Sequence, residues 1–129
     1  MKPVENAKGE LINWLNYKTG IKNIFFRMDA DGKRASIAIE LTHPDALQRE
    51  KHYQQFAKMK LLLTETAGEE WIWQKEVADE HGKYISRIGT EINNVNVFNT
   101  SDWPAIISFL KPRMISLDKF WNLGKDAFQ

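Results

Sequence analysis

Trp71 and Trp73 lie two residues apart in Gly68-Glu69-Glu70-Trp71-Ile72-Trp73, and this period of two constrains the fold more than any other feature of the chain. After a charged turn the period recurs in Tyr84-Ile85-Ser86-Arg87-Ile88. Successive side chains of an extended segment point to opposite faces, so both indoles share one face of a strand. The next strand supplies a fixed cation, Arg87, flanked by isoleucines. Two paired strands joined near Asp79-Glu80-His81-Gly82 are therefore expected, in a sheet with both faces partly apolar.

The chain has 129 residues, 43% of them hydrophobic and 12% aromatic, enough for one core and too few for two ordinary domains. A single domain over residues 1–129 is expected. Eighteen basic against seventeen acidic side chains leave a net charge of +1, so no global field draws the chain to nucleic acid or an anionic membrane. It contains no cysteine, and His43, His52 and His81 share no ligand spacing; neither a metal site nor a cofactor is expected. The N-terminus lacks the apolar run of a signal peptide, and no stretch of about 18 apolar residues exists to span a bilayer. A cytoplasmic protein is the expectation.

Leu11, Ile12, Trp14 and Leu15 recur at helical spacing, which predicts a short first helix from Glu10 to Lys18. Two antiparallel strands follow around the turn at Ala30-Asp31-Gly32, with Ile24, Phe26 and Met28 alternating on the first and Ala35, Ile37, Ile39 and Leu41 on the second. From Pro44 one long helix is expected to run to about Ala67, packing Tyr53, Phe56, Met59 and Leu63 inward while Arg49, Lys51 and Lys58 point to water. A short fifth strand is expected at Val95 to Phe98. The last helix carries an apolar stripe from Trp103 to Trp121, and Pro112 within it predicts a kink or two helices meeting at an angle.

Asp29-Ala30-Asp31-Gly32-Lys33 superficially suits a calcium loop or a nuclease acid-lysine pair. However, the twelfth position, Glu40, falls inside a strand, and the acids occupy a hairpin tip; a polar turn is the better reading. Glu40 is more informative, because the alternation brings it toward Arg27 and Arg87 across the sheet. A carboxylate between two guanidiniums either binds a partner or forms a structural ion-pair network. Trp71 and Trp73 are large apolar surface for a core first, and candidates for base stacking second. No phosphate-binding glycine loop and no nucleophile elbow appears.

Several segments together resemble a known bacterial family, the domain of unknown function 4268, over residues 10–128. They are Ala35-Ser36-Ile37-Ala38-Ile39-Glu40, the helix with Phe56 and Lys60, Gly68-Glu69-Glu70-Trp71, Ser86-Arg87-Ile88, and a closing helix led by Trp103. The resemblance implies no established activity. Longer relatives carry a similar domain on the C-terminal side of a nuclease-like region that this chain lacks, so no catalytic residue transfers. The recurring Gly-Glu-x-Trp and Ser-Arg-Ile elements mark Glu70, Trp71, Ser86 and Arg87 for attention.

The expected fold is α+β, a mainly antiparallel sheet of about five strands with helices chiefly on one face, in the order α-β-β-α-β-β-β-α. The expected function is a non-enzymatic interaction or accessory domain with a protein partner of unknown identity. The alternative is a nucleic-acid-associated accessory domain of a nuclease or defence system. Arg27, Glu40, Glu70, Trp71, Trp73, Ser86 and Arg87 form the candidate binding set. The second sheet face is too apolar to face water, and we expect it to be covered by a second copy in a homodimer or by the helix after Pro112.

Overall fold

Two aspartates set the hairpins. The Asp31 carboxylate accepts the backbone N–H groups of Lys33 at 2.8 Å and Arg34 at 2.9 Å, which folds β1 (Ile24–Ala30) back onto β2 (Arg34–Leu41). Asp79 likewise accepts from His81 at 2.8 Å and Lys83 at 2.9 Å, with Gly82 at φ 80°, and turns β3 (Ile72–Ala78) into β4 (Tyr84–Asn93). The computed structural model describes residues 19–128; the helix expected at Glu10–Lys18 lies outside them.

The described sheet has four strands in the order β1-β2-β4-β3, antiparallel throughout. The expected fifth strand is not formed. Asn94 at φ 62° bends the chain out of the ladder, and Val95 and Val97 donate to the carbonyls of Lys33 and Asp31 in the first hairpin turn. The Asp102 side chain takes the Asn96 N–H at 2.9 Å, a local bond that competes with strand pairing.

The helix expected from Pro44 to Ala67 is two helices. Asp45 caps α1 (Ala46–Lys58) by accepting from Leu47, and Met59, at φ −105° and ψ 16°, separates it from α2 (Lys60–Ala67). Gly68 at φ 75° ends α2 in the left-handed conformation that glycine adopts without strain. By contrast α3 (Trp103–Gly124) continues as a single helix past Pro112, where two meeting at an angle were an alternative. Pro112 has no N–H for the Ser108 carbonyl, and the Arg113 guanidinium donates to the next carbonyl, Phe109, at 2.9 Å. No helix among the described residues is long and apolar enough to cross a membrane.

The main core cluster lies on one side of the sheet, with only Ala38 and Ile85 buried on the other. Ile24, Phe26, Ile37, Ile39, Leu41 and Ile88 meet Ile106, Leu110, Met114, Leu117, Phe120 and Trp121 of α3, with Phe56 of α1 and Leu63 of α2. Trp121 lies edge-on to Phe26 at 5.4 Å between centroids, stacks on Phe56 at 6.0 Å and donates its indole N–H to the Thr19 carbonyl at 2.8 Å. Burial of each such side chain contributes about 1.5–3 kcal/mol. Because α3 packs here, it does not cover the second face, which corrects one of the two expected covers.

Arg49 also departs from expectation. Rather than pointing to water it is 7% exposed, donating to the His43 carbonyl at 3.0 Å and approaching Glu76 at 3.5 Å. A guanidinium with two partners tolerates the burial that an unpaired one does not. The rings of His43 and His52, which share no ligand spacing in sequence, lie 6.3 Å apart.

Candidate functional site

Strand alternation and register bring three of the candidate residues together on the face away from the helices. Glu40 of β2 pairs with Arg87 of β4 on one side and with Phe25 of β1 on the other, and Arg27 sits diagonally across β1, opposite Ala38. The contacts are unequal. Arg27 Nε reaches Glu40 Oε1 at 2.8 Å, whereas Arg87 Nε stops 3.9 Å from Oε2 and, buried, finds no hydrogen-bond partner among the described residues. Burial against the sheet pushes the Glu40 carboxyl above its ordinary value, and the Arg27 and Arg87 charges offset this only in part.

This trio lies in a depression of about 620 Å³ between the sheet and the β3–β4 turn, lined also by Ser36, Asp79, His81 and Ile85. An adjoining depression of about 680 Å³ includes Phe25, Lys83 and Tyr84. Four carboxylates, Asp29, Glu40, Asp79 and Glu80, line the first against the two guanidiniums, so its rim is acidic around the trio. Beside the trio the central strands approach closely: Gly89 faces Ala38, and a Cβ at Gly89 would come 2.7 Å from the Ala38 Cβ and 2.8 Å from the Ile37 carbonyl oxygen. Around the trio the face bears exposed apolar groups, with Phe25 at 40% and Ile72 at 62%.

The remaining candidates are elsewhere. Trp71 is 5% exposed in the core, its indole N–H donating to Glu69 at 3.0 Å, which leaves no ring face for a nucleic-acid base. Trp73 is half-buried on the helix side, edge-on to Tyr53 at 5.8 Å with the Lys60 ammonium 5.7 Å from its ring. Ser86 is buried, and its hydroxyl donates to the Lys75 carbonyl at 2.6 Å, bracing the irregularity of β3 between Gln74 and Val77. Glu70 is exposed.

The acid with a structural role in Gly-Glu-x-Trp is its neighbour. Glu69 receives two parallel bonds from Arg113 of α3, Nε at 2.7 Å and Nη2 at 2.9 Å, in addition to the Trp71 indole. Arg113 also lies over the Phe109 ring at 4.1 Å. This clamp ties the end of α2 to α3 and to the entry of β3. Its sequence signal was the motif's own glutamate; Arg113 had none, because nothing in a helix's periodicity marks a partner 44 positions away.

Neither a curated protein nor a solved structure matches the chain. A family model does, over residues 1–123, described as a domain of unknown function (DUF4268). Nearly the whole length is covered, beginning earlier than the resemblance drawn from the motifs, and the chain belongs to the DUF4268 family.

Proposed function

We propose that the chain is a non-enzymatic interaction domain whose working surface is the sheet face bearing Arg27, Glu40 and Arg87. One observation carries this reading: every described helix packs on the opposite face, while this one presents Phe25 and Ile72 to solvent beside a semi-buried ion trio. Two guanidiniums share a single carboxylate. Arg87 and Ile72 also line one small concavity together with Arg34 and Gln74. A protein surface offering a carboxylate next to an apolar side chain matches that pairing in charge and in hydrophobicity.

The trio itself is suited to recognition rather than proton transfer, since both cations are permanently charged and the acid is held by one of them. Affinity capture with the wild type and with Ile72→Asp tests the proposal. A partner retained by the wild type and by Leu61→Asp, on the helix side, but lost with Ile72→Asp is the expected result. Equal retention by both variants refutes it.

A further inference from the structure

After α3 the chain forms a short 3-10 turn, Lys125–Phe128, which sets Phe128 against α1. The Phe128 ring centroid lies 4.5 Å from that of Phe56, 5.2 Å from that of Trp121 and 6.3 Å from that of His52. Phe56 and Trp121 are buried, whereas Phe128 is only partly so, which makes it the outermost ring of this aromatic group. A turn this short has no stability of its own. Its ring contacts therefore decide whether it stays in place.

His52 is the polar member of the group. Its Nδ1 is buried with no hydrogen-bond partner among the described residues. A neutral imidazole tolerates one unpaired acceptor nitrogen, but a protonated one has two N–H donors, and burying one of them unpaired on a cation is costly. Neighbouring groups give no relief. The His43 ring lies 6.3 Å away, and its Nδ1 already accepts the Asp45 N–H at 3.0 Å. Arg49, one turn back on α1, is a cation engaged with the His43 carbonyl and Glu76, and the adjacent Lys51 is exposed. In the turn itself Lys125 is a cation and Asp126 is exposed to water. Burial first and His43 second hold the His52 pKa below its ordinary value.

We propose that the C-terminal turn is a latch released by a proton: while His52 is neutral, Phe128 seals Phe56 and Trp121, and when His52 is protonated the turn leaves α1 and water reaches the imidazole. The sign follows from linkage. The latched state disfavours the cation more than the open one does, so the latch holds above the ordinary histidine value of 6.5 and loosens as pH falls through the lower, latched one. Opening uncovers an aromatic surface on the helix side of the sheet. This goes beyond the proposed function, which concerns the opposite face, and either can fail alone.

Proton NMR of the full chain tests it, because latch and proton must act on each other reciprocally. In the wild type, cross-relaxation from the Phe128 ring to the Phe56 and Trp121 rings should be strong at neutral pH and fade as His52 titrates. The contact between Phe26 and Trp121, at 5.4 Å, should persist. His52→Gln should keep the Phe128 contacts over the same range. Phe128→Ala, which removes the latch, should bring the His52 pKa up toward 6.5. Phe128 contacts that survive the His52 titration, that fade equally in His52→Gln, or that fade together with the Phe26–Trp121 contact would each overturn the inference. So would a His52 pKa unmoved by Phe128→Ala.

Discussion

Glu40 and Arg87 stand directly opposite in the β2–β4 ladder, yet the closer cation to the Glu40 carboxylate is Arg27, at 2.8 Å against 3.9 Å. Arg27 is also the stronger of the two in holding the carboxyl down against burial, while Asp79 pushes it further up. Arg27→Met should therefore raise the Glu40 pKa further and Asp79→Asn should lower it, as read by carbon NMR of the carboxyl. The sign for stability follows. A folded pKa above the ordinary 4.5 means a contribution fully present below that pH and lost as pH rises through the folded value. Melts across that window should show the wild type losing stability relative to Glu40→Gln; a constant difference contradicts the burial argument.

The Glu69–Arg113 clamp should be worth more than any other described ion pair, because both partners are mostly buried and the contact is bidentate. Arg113→Ala should cost about 2–3 kcal/mol and Arg113→Lys only slightly less, since a lysine cannot reproduce the fork. Glu70→Gln should cost almost nothing. Denaturant melts check the ranking, and Glu69→Gln combined with Arg113→Ala should cost less than the sum of the singles.

Gly89→Ala should destabilise by about 1–3 kcal/mol, because the new methyl meets both Ala38 and the Ile37 carbonyl on the central strands. Adding Ala38→Gly should recover part of the loss. Full recovery would show that the backbone contact at 2.8 Å relaxes freely.

His52 has a pKa lowered first by burial and second by His43, and its Nδ1 is buried without a partner among the described residues. A depressed histidine stabilises above its unfolded value of about 6.5 and loses that contribution as pH falls through the folded one. Thermal melts should thus show a loss between neutral and mildly acid pH that His52→Phe reduces. An unchanged profile in the variant contradicts this.

Ile37→Ala or Ile39→Ala should cost about 2–4 kcal/mol, whereas a Lys33 substitution should cost little. The isoleucines are fully buried at 1% and 0%, and Lys33 is exposed at a turn made by backbone groups. Melting temperatures in the opposite order would overturn the assigned faces.

The approach of Arg27 to Glu40 was legible in sequence because a period of two fixes faces and the β1–β2 hairpin fixes neighbours, whereas the placing of Arg87 beside Glu40 rests on the β2–β4 pairing, which no hairpin sets. The pattern could not say which face the helices take, and so left open whether α3 would cover the trio. The apolar stripe runs on through Phe56, Met59 and Leu63, hiding the break at Met59, which is a backbone event. Val95 to Phe98 alternates like a strand, but Asn96 and Asp102 bind its backbone instead. Arg49 looked solvent-directed because its partners, the His43 carbonyl and Glu76, are set by tertiary packing alone.

Site-specific photocrosslinking in living cells tests the working surface most directly, with a photoreactive residue placed at Ile72 on the open face or at Leu61 on the helix side, exposed by 62% and 71%. The account predicts a discrete adduct with another protein from position 72 and none from position 61. An adduct from position 61 alone, or none from either, would contradict it.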